Sequence, residues 1–474
     1  MDGRNWFTLA AYLLQVVLVV STAVVVLREN RQPAKTMAWL LVLSFIPVVG
    51  IVLFIFFGKD VRKEKYISRH SLDLLTRQSM LHYVEQGAIV ESEPHAELIR
   101  LFENQNVALP FGDNQVEVLA DGYEFFPALL QAMKNAKEHI HLITYIFDDD
   151  ALGTLIADAL IDKAKEGLVV RVIYDDVGCW KVKDKFFRRM RKGGVLIEPF
   201  MPVRFPSLTS KVNYRNHRKI CVIDGKVGFI GGMNIALRYV KGEGRPWRDT
   251  HLKVEGKAVY GLQTAFLTDW YFVTQTLISG DEYYPAMEKM EGGSLVQVVT
   301  SDPTSRWPEL MQGYIRILLE ARHYVYIETP YFLPTEPVSF ALRTCALAGV
   351  DVRVLMPRKG DSRMVHWASR SFIDDMLDAG VKFYLYEKGF NHSKLLVCDD
   401  NLCSCGSANV DFRSFENNFE ANAFIYDTKT VNEMKKVFFD DMAHCRRLDA
   451  ETFDKRPFLE KLWESVMRLF SPLL

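Results

Sequence analysis

Charge is absent from two stretches near the start of the chain, Trp6 to Leu27 and Met37 to Phe57, which run 22 and 21 positions. Each is long enough as a helix to cross a hydrocarbon core of about 30 Å. Two membrane helices, about 6–27 and 37–57, are therefore expected within an anchor at 1–60. A cleaved leader would account for the first stretch but not the second. Pro47 and Gly50 would kink the second. Beyond a charged connector at 61–110, apolar strand-like runs alternate with amphipathic helical segments. Strands are expected at Val116–Leu119, His139–Phe147, Val169–Tyr174, Val195–Glu198 and Ile220–Ile223, with helices at Glu124–Lys137 and Leu152–Glu166.

The same order returns downstream. Strands are expected at Leu295–Val299, Tyr324–Glu328, Val352–Met356, Lys382–Tyr386 and Lys394–Cys398, and helices at Pro308–Ala321, Val338–Ala348 and Arg363–Ala379. AKEHIHLITYIF at 136–147 parallels ARHYVYIETPYF at 321–332, and EGLVVRVIYD at 166–175 parallels AGVDVRVLMP at 348–357. An internal repeat of this kind sets the architecture: two tandem α/β domains, 111–285 and 286–474. The second ends in PFLEKLWESVMRLFSPLL, whose Leu459, Leu462, Trp463, Val466 and Phe470 recur at helical spacing and are expected to dock on the protein, the alternative being a helix that lies on the bilayer surface.

The repeat carries chemistry. His217, Lys219 and Asp224 form a His-x-Lys-x-x-x-x-Asp frame that returns as His392, Lys394 and Asp399, and each histidine is followed seventeen residues later by an asparagine, Asn234 in GGMN and Asn409 in GSAN. All four pairs are 175 positions apart, whereas GGVLIEPF at 193 and AGVKFYLY at 379 are 186 apart. The first half thus holds eleven extra residues just ahead of His217, within MPVRFPSLTSKVNYR. A His, a Lys and an Asn kept in register in both halves imply one site built from two. Its lysines and asparagines would supply charge and donors to a phosphodiester, one imidazole would attack and the other would protonate the leaving oxygen. Asp224 and Asp399, at the far end of each strand, read better as turn residues than as substrate contacts.

Charge narrows the choice of substrate. With 58 basic and 59 acidic residues, the chain lacks the basic excess expected of a nucleic-acid binder. Seven scattered cysteines without metal spacing fit reduced thiols facing a cytosol. Arg4, Lys59, Arg62, Lys63, Lys65 and Arg69 outnumber Arg28, Arg31 and Lys35 between the apolar stretches, which places the large C-terminal part in the cytoplasm.

The paired motifs and the asparagines after them resemble the phospholipase D superfamily across 111–450, and the N-terminal stretches with NYRNHRK and ETPYFLP are similar to bacterial cardiolipin synthases. That resemblance implies a phosphatidyl transfer from one phosphatidylglycerol to another, giving cardiolipin and glycerol at the bacterial inner membrane, with no cofactor and no metal. It also implies His217 as nucleophile, His392 as general acid and base, and a downstream carboxylate for each histidine, Asp249 in WRDTH and Glu420 in NNFEAN. Hydrolysis, or transfer to another alcohol, uses the same intermediate, and a membrane scaffold with a relic site is the non-enzymatic alternative. Arg204, Lys211, Tyr214 and Arg215, in the extra segment, are candidates for a second anionic headgroup or else a cover over the cleft.

Overall fold

The computed structural model describes residues 3–28, 33–54, 58, 95–106, 108–203, 213–241, 245–287 and 292–473. It divides into one compact unit of Met1–Lys65 with Val203–Tyr214 and a second of Tyr66–Pro202 with Arg215–Leu474.

In the first unit, helix α1 covers Gly3–Arg28. The second apolar stretch forms two helices, α2 (Pro33–Phe45) and α3 (Pro47–Leu53), interrupted at Ile46. Pro47 has no N–H to donate and suits only a first helical turn, so the break falls there. Val26, Leu43 and Phe54 form a small apolar cluster, with Trp39 and Phe54 edge to face at 5.4 Å. Among the described residues no helix is long and apolar enough to cross a membrane; the 22-residue uncharged stretch is a property of the sequence, and side chains 7 to 11 within it lie outside the description.

The second unit is built on one continuous sheet. Its first half supplies β1 (Pro110–Leu119), β2 (His139–Thr144), β3 (Val169–Asp175), β4 (Leu196–Phe200), β5 (Ile220–Ile223), β6 (Val227–Gly231), β7 (Trp247–Arg248) and β8 (His251–Glu255). The second half supplies β9 (Ser294–Ser301), β10 (Tyr324–Glu328), β11 (Phe332–Leu333), β12 (Asp351–Pro357), β13 (Lys382–Tyr386), β14 (Phe390–Asn391), β15 (Leu395–Cys398), β16 (Leu402–Gly406), β17 (Val410–Asp411), β18 (Glu420–Ile425) and β19 (Cys445–Arg447). From the middle outward one half runs β1-β8-β6-β5-β2-β3-β4 and the other β9-β18-β16-β15-β10-β12-β13, closed by β19. The two series match strand for strand and join through antiparallel β1 and β9. Parallel pairs such as β2 with β3 and β10 with β12 enclose a helix each, as crossover connections require. Each half has its own apolar core, one around Leu129, Ile156 and Val172 and one around Phe102, Leu310 and Phe383.

The motif aspartates explain how each half is closed. Asp224 and Gly225 take φ of 52° and 63°, and Asp399 and Asp400 take 50° and 58°, in the turns that follow β5 and β15. Non-glycine residues are uncommon there, Asp and Asn being the most tolerant. The Asp224 carboxylate accepts from the backbone N–H groups of Lys137, Glu138 and His139 at 2.8–2.9 Å, and Asp399 accepts from Arg322, His323 and Tyr324 at 2.6–2.9 Å. Each thus ties a turn to the start of the neighbouring strand.

Three expectations change. Lys394 does not begin β15 but lies just before it, as Lys219 lies just before β5. The expected Arg363–Ala379 helix is two, Arg363–Arg370 and Ile373–Asp378. The C-terminal helix, Phe458–Arg468, docks through its other face: Glu464 is buried against Arg370 and Arg456 at 2.6 and 3.1 Å, while Leu459, Leu462 and Trp463 stay exposed. The counter-charge of two arginines is what lets a glutamate occupy the buried side.

Candidate active site

The two histidines meet where the halves exchange short strands. Asn216 bridges Phe419; the His217 N–H donates to the Phe419 carbonyl at 2.9 Å, and the Phe419 N–H donates to the Arg215 carbonyl at 2.9 Å. The residue after Phe419 is Glu420, the first of β18. On the other side β14 pairs in parallel with β7, and the His392 N–H donates to the Arg248 carbonyl at 2.6 Å. The residue after Arg248 is Asp249. Backbone register therefore sets each histidine opposite the acid of the other half.

The side chains follow that register. His217 Nδ1 lies 3.1 Å from both Glu420 oxygens and 3.1 Å from the Ser407 carbonyl. Carboxylate and carbonyl are both acceptors, so Nδ1 carries the proton and Nε2 is the basic nitrogen. His392 Nδ1 lies 2.6 Å from Asp249 Oδ2 and 2.8 Å from Lys394 Nζ, with the Tyr239 hydroxyl at 3.4 Å. Lys394 Nζ is 3.8 Å from Asp249 and also bonds the His392 carbonyl; Lys219 Nζ donates to the His217 carbonyl at 2.6 Å. The lysines and both acids are buried, and the His217 side chain, 12% exposed, is more open than that of His392 at 5%.

Burial governs protonation at the site. It lowers His217, an effect Glu420 partly offsets. It lowers His392 well below the usual value, with Lys394 and Lys219 adding to the shift. Burial pulls Lys219 well down and Lys394 down to about 8. Burial alone would raise Glu420, but His217, Lys219 and the Ser407 hydroxyl bring it below its ordinary value. Asp249 is raised, burial outweighing Lys394 and the Thr250 N–H. Both members of the His392–Asp249 pair thus lean toward neutrality, because burial is the largest influence on each. A bound phosphodiester anion would shift both lysines and both histidines upward again.

The asparagines are already engaged. Asn234 accepts from the Ile146 N–H at 3.1 Å and donates to the Tyr239 hydroxyl at 3.0 Å; Asn409 donates to Asp411 at 2.9 Å. Arg215 is buried with a guanidinium nitrogen 3.5 Å from Asp175, so its charge is matched inside the protein. Tyr214 is buried, and Arg204 and Lys211 lie outside the described residues. Asp224 and Asp399 sit at the opposite end of their strands from the histidines, holding turns. His251 is buried and stacked on Phe125 at 4.0 Å. Among the described residues no group of three or more His, Cys, Asp or Glu is arranged to hold a metal ion.

Two residues at the site were not singled out from sequence. Ser407 donates to Glu420 Oε2 at 2.5 Å. Its counterpart is Gly232, where a Cβ would fall 2.1 Å from an Asp249 oxygen, so no side chain fits. Comparing GSAN with GGMN carried that signal. Tyr239 had none, since nothing in the second repeat matches it.

Two tandem α/β halves of this topology, each bringing its HxK motif to a common seam, define the phospholipase D fold class. The chain belongs to the cardiolipin synthase family within it: the family model described as cardiolipin synthase, PLD-like domain matches residues 129–270 and 314–442, and a phospholipase D-nuclease N-terminal model matches 17–59. It is 42% identical to a protein named cardiolipin synthase 2 from Bacillus cereus over 99% of this chain and 91% of that one. It is 39% identical to a cardiolipin synthase from Listeria monocytogenes over 98% of this chain and 100% of that one. Among solved structures, phosphatidylserine synthase from Haemophilus influenzae superposes with a TM-score of 0.63, covering 80% of this chain and 100% of that one at 15% identity, a likeness of fold.

Proposed function

We propose that the protein is a phosphatidyltransferase that condenses two phosphatidylglycerol molecules into cardiolipin and glycerol. His217 Nε2 attacks the donor phosphorus, the bond to glycerol oxygen breaks, and His392 in its protonated form gives the leaving alkoxide its proton. The terminal hydroxyl of a second phosphatidylglycerol then attacks the phosphohistidine, His392 takes that proton back, and the P–N bond breaks. Lys219 and Lys394 neutralise the phosphate throughout.

The observation that carries the transfer chemistry is the reciprocal pairing of the two histidines with carboxylates of opposite halves. Two acceptors at His217 Nδ1 favour this histidine as nucleophile, because they leave Nε2 with its lone pair. The choice of a lipid acceptor over water rests on likeness, over nearly the whole chain, to proteins named cardiolipin synthase. The uncharged stretches at 6–27 and 37–57 support an anchor in the bacterial cell membrane, with the catalytic halves on the cytoplasmic side by the charge pattern. Such an anchor holds the site where phosphatidylglycerol is concentrated. Arg204 and Lys211 are the candidates for the acceptor headgroup, Tyr214 and Arg215 being buried.

Purified protein in phosphatidylglycerol vesicles should release glycerol and cardiolipin in equal amounts. Phosphatidic acid as the main product would make it a hydrolase.

A further inference from the structure

Beneath each histidine lies a second carboxylate that the repeat motifs do not contain. Asp269 comes from the Val259–Thr274 helix and Asp441 from the Thr428–Met442 helix, and both are buried. The residue before each histidine reaches down to one of them: Asn216 Nδ2 donates to Asp269 Oδ2 at 2.7 Å, and Asn391 Nδ2 is 3.5 Å from Asp441 Oδ2. The same asparagines accept, through Oδ1, from the backbone N–H of the residue after the histidine, Arg218 at 3.2 Å and Ser393 at 2.8 Å. Each histidine is thus straddled by one side chain bonded to one helix carboxylate.

The arginine that meets each carboxylate enters from a different place in the two halves. Arg218, next to His217, places Nη1 2.5 Å from Asp269 while its Nε–H donates to the Glu420 carbonyl at 3.1 Å. Arg248, next to Asp249, sits 3.0 and 2.8 Å from the two Asp441 oxygens, and its Nη1 donates to Thr250 Oγ1 at 2.9 Å. Thr250 Oγ1 lies 2.9 Å from Ser393 Oγ, the residue after His392. In one half the guanidinium stands beside the histidine and bonds the acid strand directly; in the other it stands beside the acid and reaches the histidine segment through Thr250 and through Asp441, which faces Asn391. Either way one guanidinium, held by a helix carboxylate, links a histidine segment to the acid that orients it. Glu328, whose repeat position in the first half holds Ile143, adds a further acid on the His392 side and accepts from Asn391 Nδ2 at 3.1 Å.

We propose that Asp269 and Asp441 are positioning residues, each fixing one histidine–carboxylate pair through one guanidinium: Arg218 for His217 with Glu420, and Arg248 for His392 with Asp249. The proposal rests on the two-histidine transfer reading above. An arginine is suited to this because the donors of its planar fork point in fixed, diverging directions, so one guanidinium holds a carboxylate and a second group at once; Arg248 places two nitrogens on Asp441 and Arg218 one on Asp269, whereas a lysine gathers its donors on a single rotating nitrogen. The two arms act on different histidines, so their perturbations should separate in a pH profile.

The test compares full-length wild type, Arg218→Lys and Arg248→Lys in phosphatidylglycerol vesicles, following kcat, KM and the pH dependence of kcat, with melting temperature as the check on folding. Loosening an acid from its histidine lowers that histidine's affinity for protons. Arg218→Lys should lower kcat 10- to 100-fold and move the ascending, low-pH limb downward by half a unit or more; Arg248→Lys should do the same to the descending limb. KM should stay within threefold in both. Thr250→Val should mimic Arg248→Lys in part and Thr250→Ser should behave as wild type. If a lysine variant is unfolded, Asn216→Ala serves for the first arm and Thr250→Val for the second. Unmoved limbs in a folded variant, with wild type active, overturn the positioning role alone. Absence of cardiolipin from wild type overturns the transfer reading and this inference with it.

Discussion

Glu420→Gln removes one negative charge from the His217 side of the site and leaves almost everything else in place. Both Glu420 oxygens lie 3.1 Å from His217 Nδ1; Oε2 also accepts from Ser407 at 2.5 Å, and Oε1 from Asn418 Nδ2 at 3.2 Å. An amide with its NH2 toward Asn418 would set two donors face to face. The NH2 therefore takes the Ser407 side, where the hydroxyl accepts it and turns its own hydrogen toward the Ala421 carbonyl, 3.3 Å away. The amide oxygen still receives the Nδ1 proton, so tautomer and ring orientation survive and only charge is lost. A hydrogen bond to a charged group contributes roughly 1.5–3 kcal/mol net. At about 1.36 kcal/mol per decade this is roughly a 10- to 150-fold loss of rate. The loss should fall on kcat, since positive charge grows on the ring only as Nε2 bonds to phosphorus. Initial rates of cardiolipin formation over a range of phosphatidylglycerol surface concentrations, with melting curves alongside, measure it. A folded variant within twofold of wild-type kcat would refute the role given to the carboxylate.

Three further outcomes are expected. His251 is held down to about 3 by burial, so the folded state takes up fewer protons than the unfolded chain below pH 6.5; its stabilising share is complete above that pH and lost as pH falls toward 3, about 2 kcal/mol between pH 7.5 and 5, and His251→Asn should flatten the decline of melting temperature over that range. Asp224→Ala frees three backbone donors and should lower stability by about 1–3 kcal/mol while leaving kcat of the folded protein within threefold; a large loss of kcat at unchanged melting temperature would return Asp224 to the chemistry. Because Lys219 and Lys394 face the phosphate position from both halves, a chelator should leave the rate within twofold, and a requirement restored by a single divalent ion would count against that role.

The strands easiest to read in the sequence were those with unbroken β-branched or aromatic runs: Ile220–Ile223, Tyr324–Glu328 and Lys382–Tyr386 are observed with those limits. The inner strands β6, β8, β16 and β18, two of which close hairpins with β5 and β15, escaped notice. VGFIG and LCSCG are short and glycine-ended, and β18 opens with Glu420, a residue chosen for the site rather than for strand propensity. The repeat register brought out His217, Lys219, His392 and Lys394 as one site because those residues recur at one interval. It had no bearing on which acid serves which histidine, since that depends on strands from different halves lying side by side. Asp269 and Asp441 were hidden for another reason: each lies deep in a helix, and the arginine that binds it has moved from one strand to another between repeats.

The crossing of acids between halves has an evolutionary side. A protein made of two identical halves would need every change at the seam to work twice at once, because a single substitution would appear on both sides of the axis. Fusion into one chain lifts that constraint. Here the two seams have since gone separate ways, with a short acid against a bare glycine on one and a longer acid bonded to a serine on the other. Each half has become a tailored complement to its neighbour, and neither could be replaced by a second copy of the other: a repeat of the first half would set Asp249 where the longer reach of Glu420 is required, and a repeat of the second would drive Ser407 into the place that only Gly232 leaves vacant.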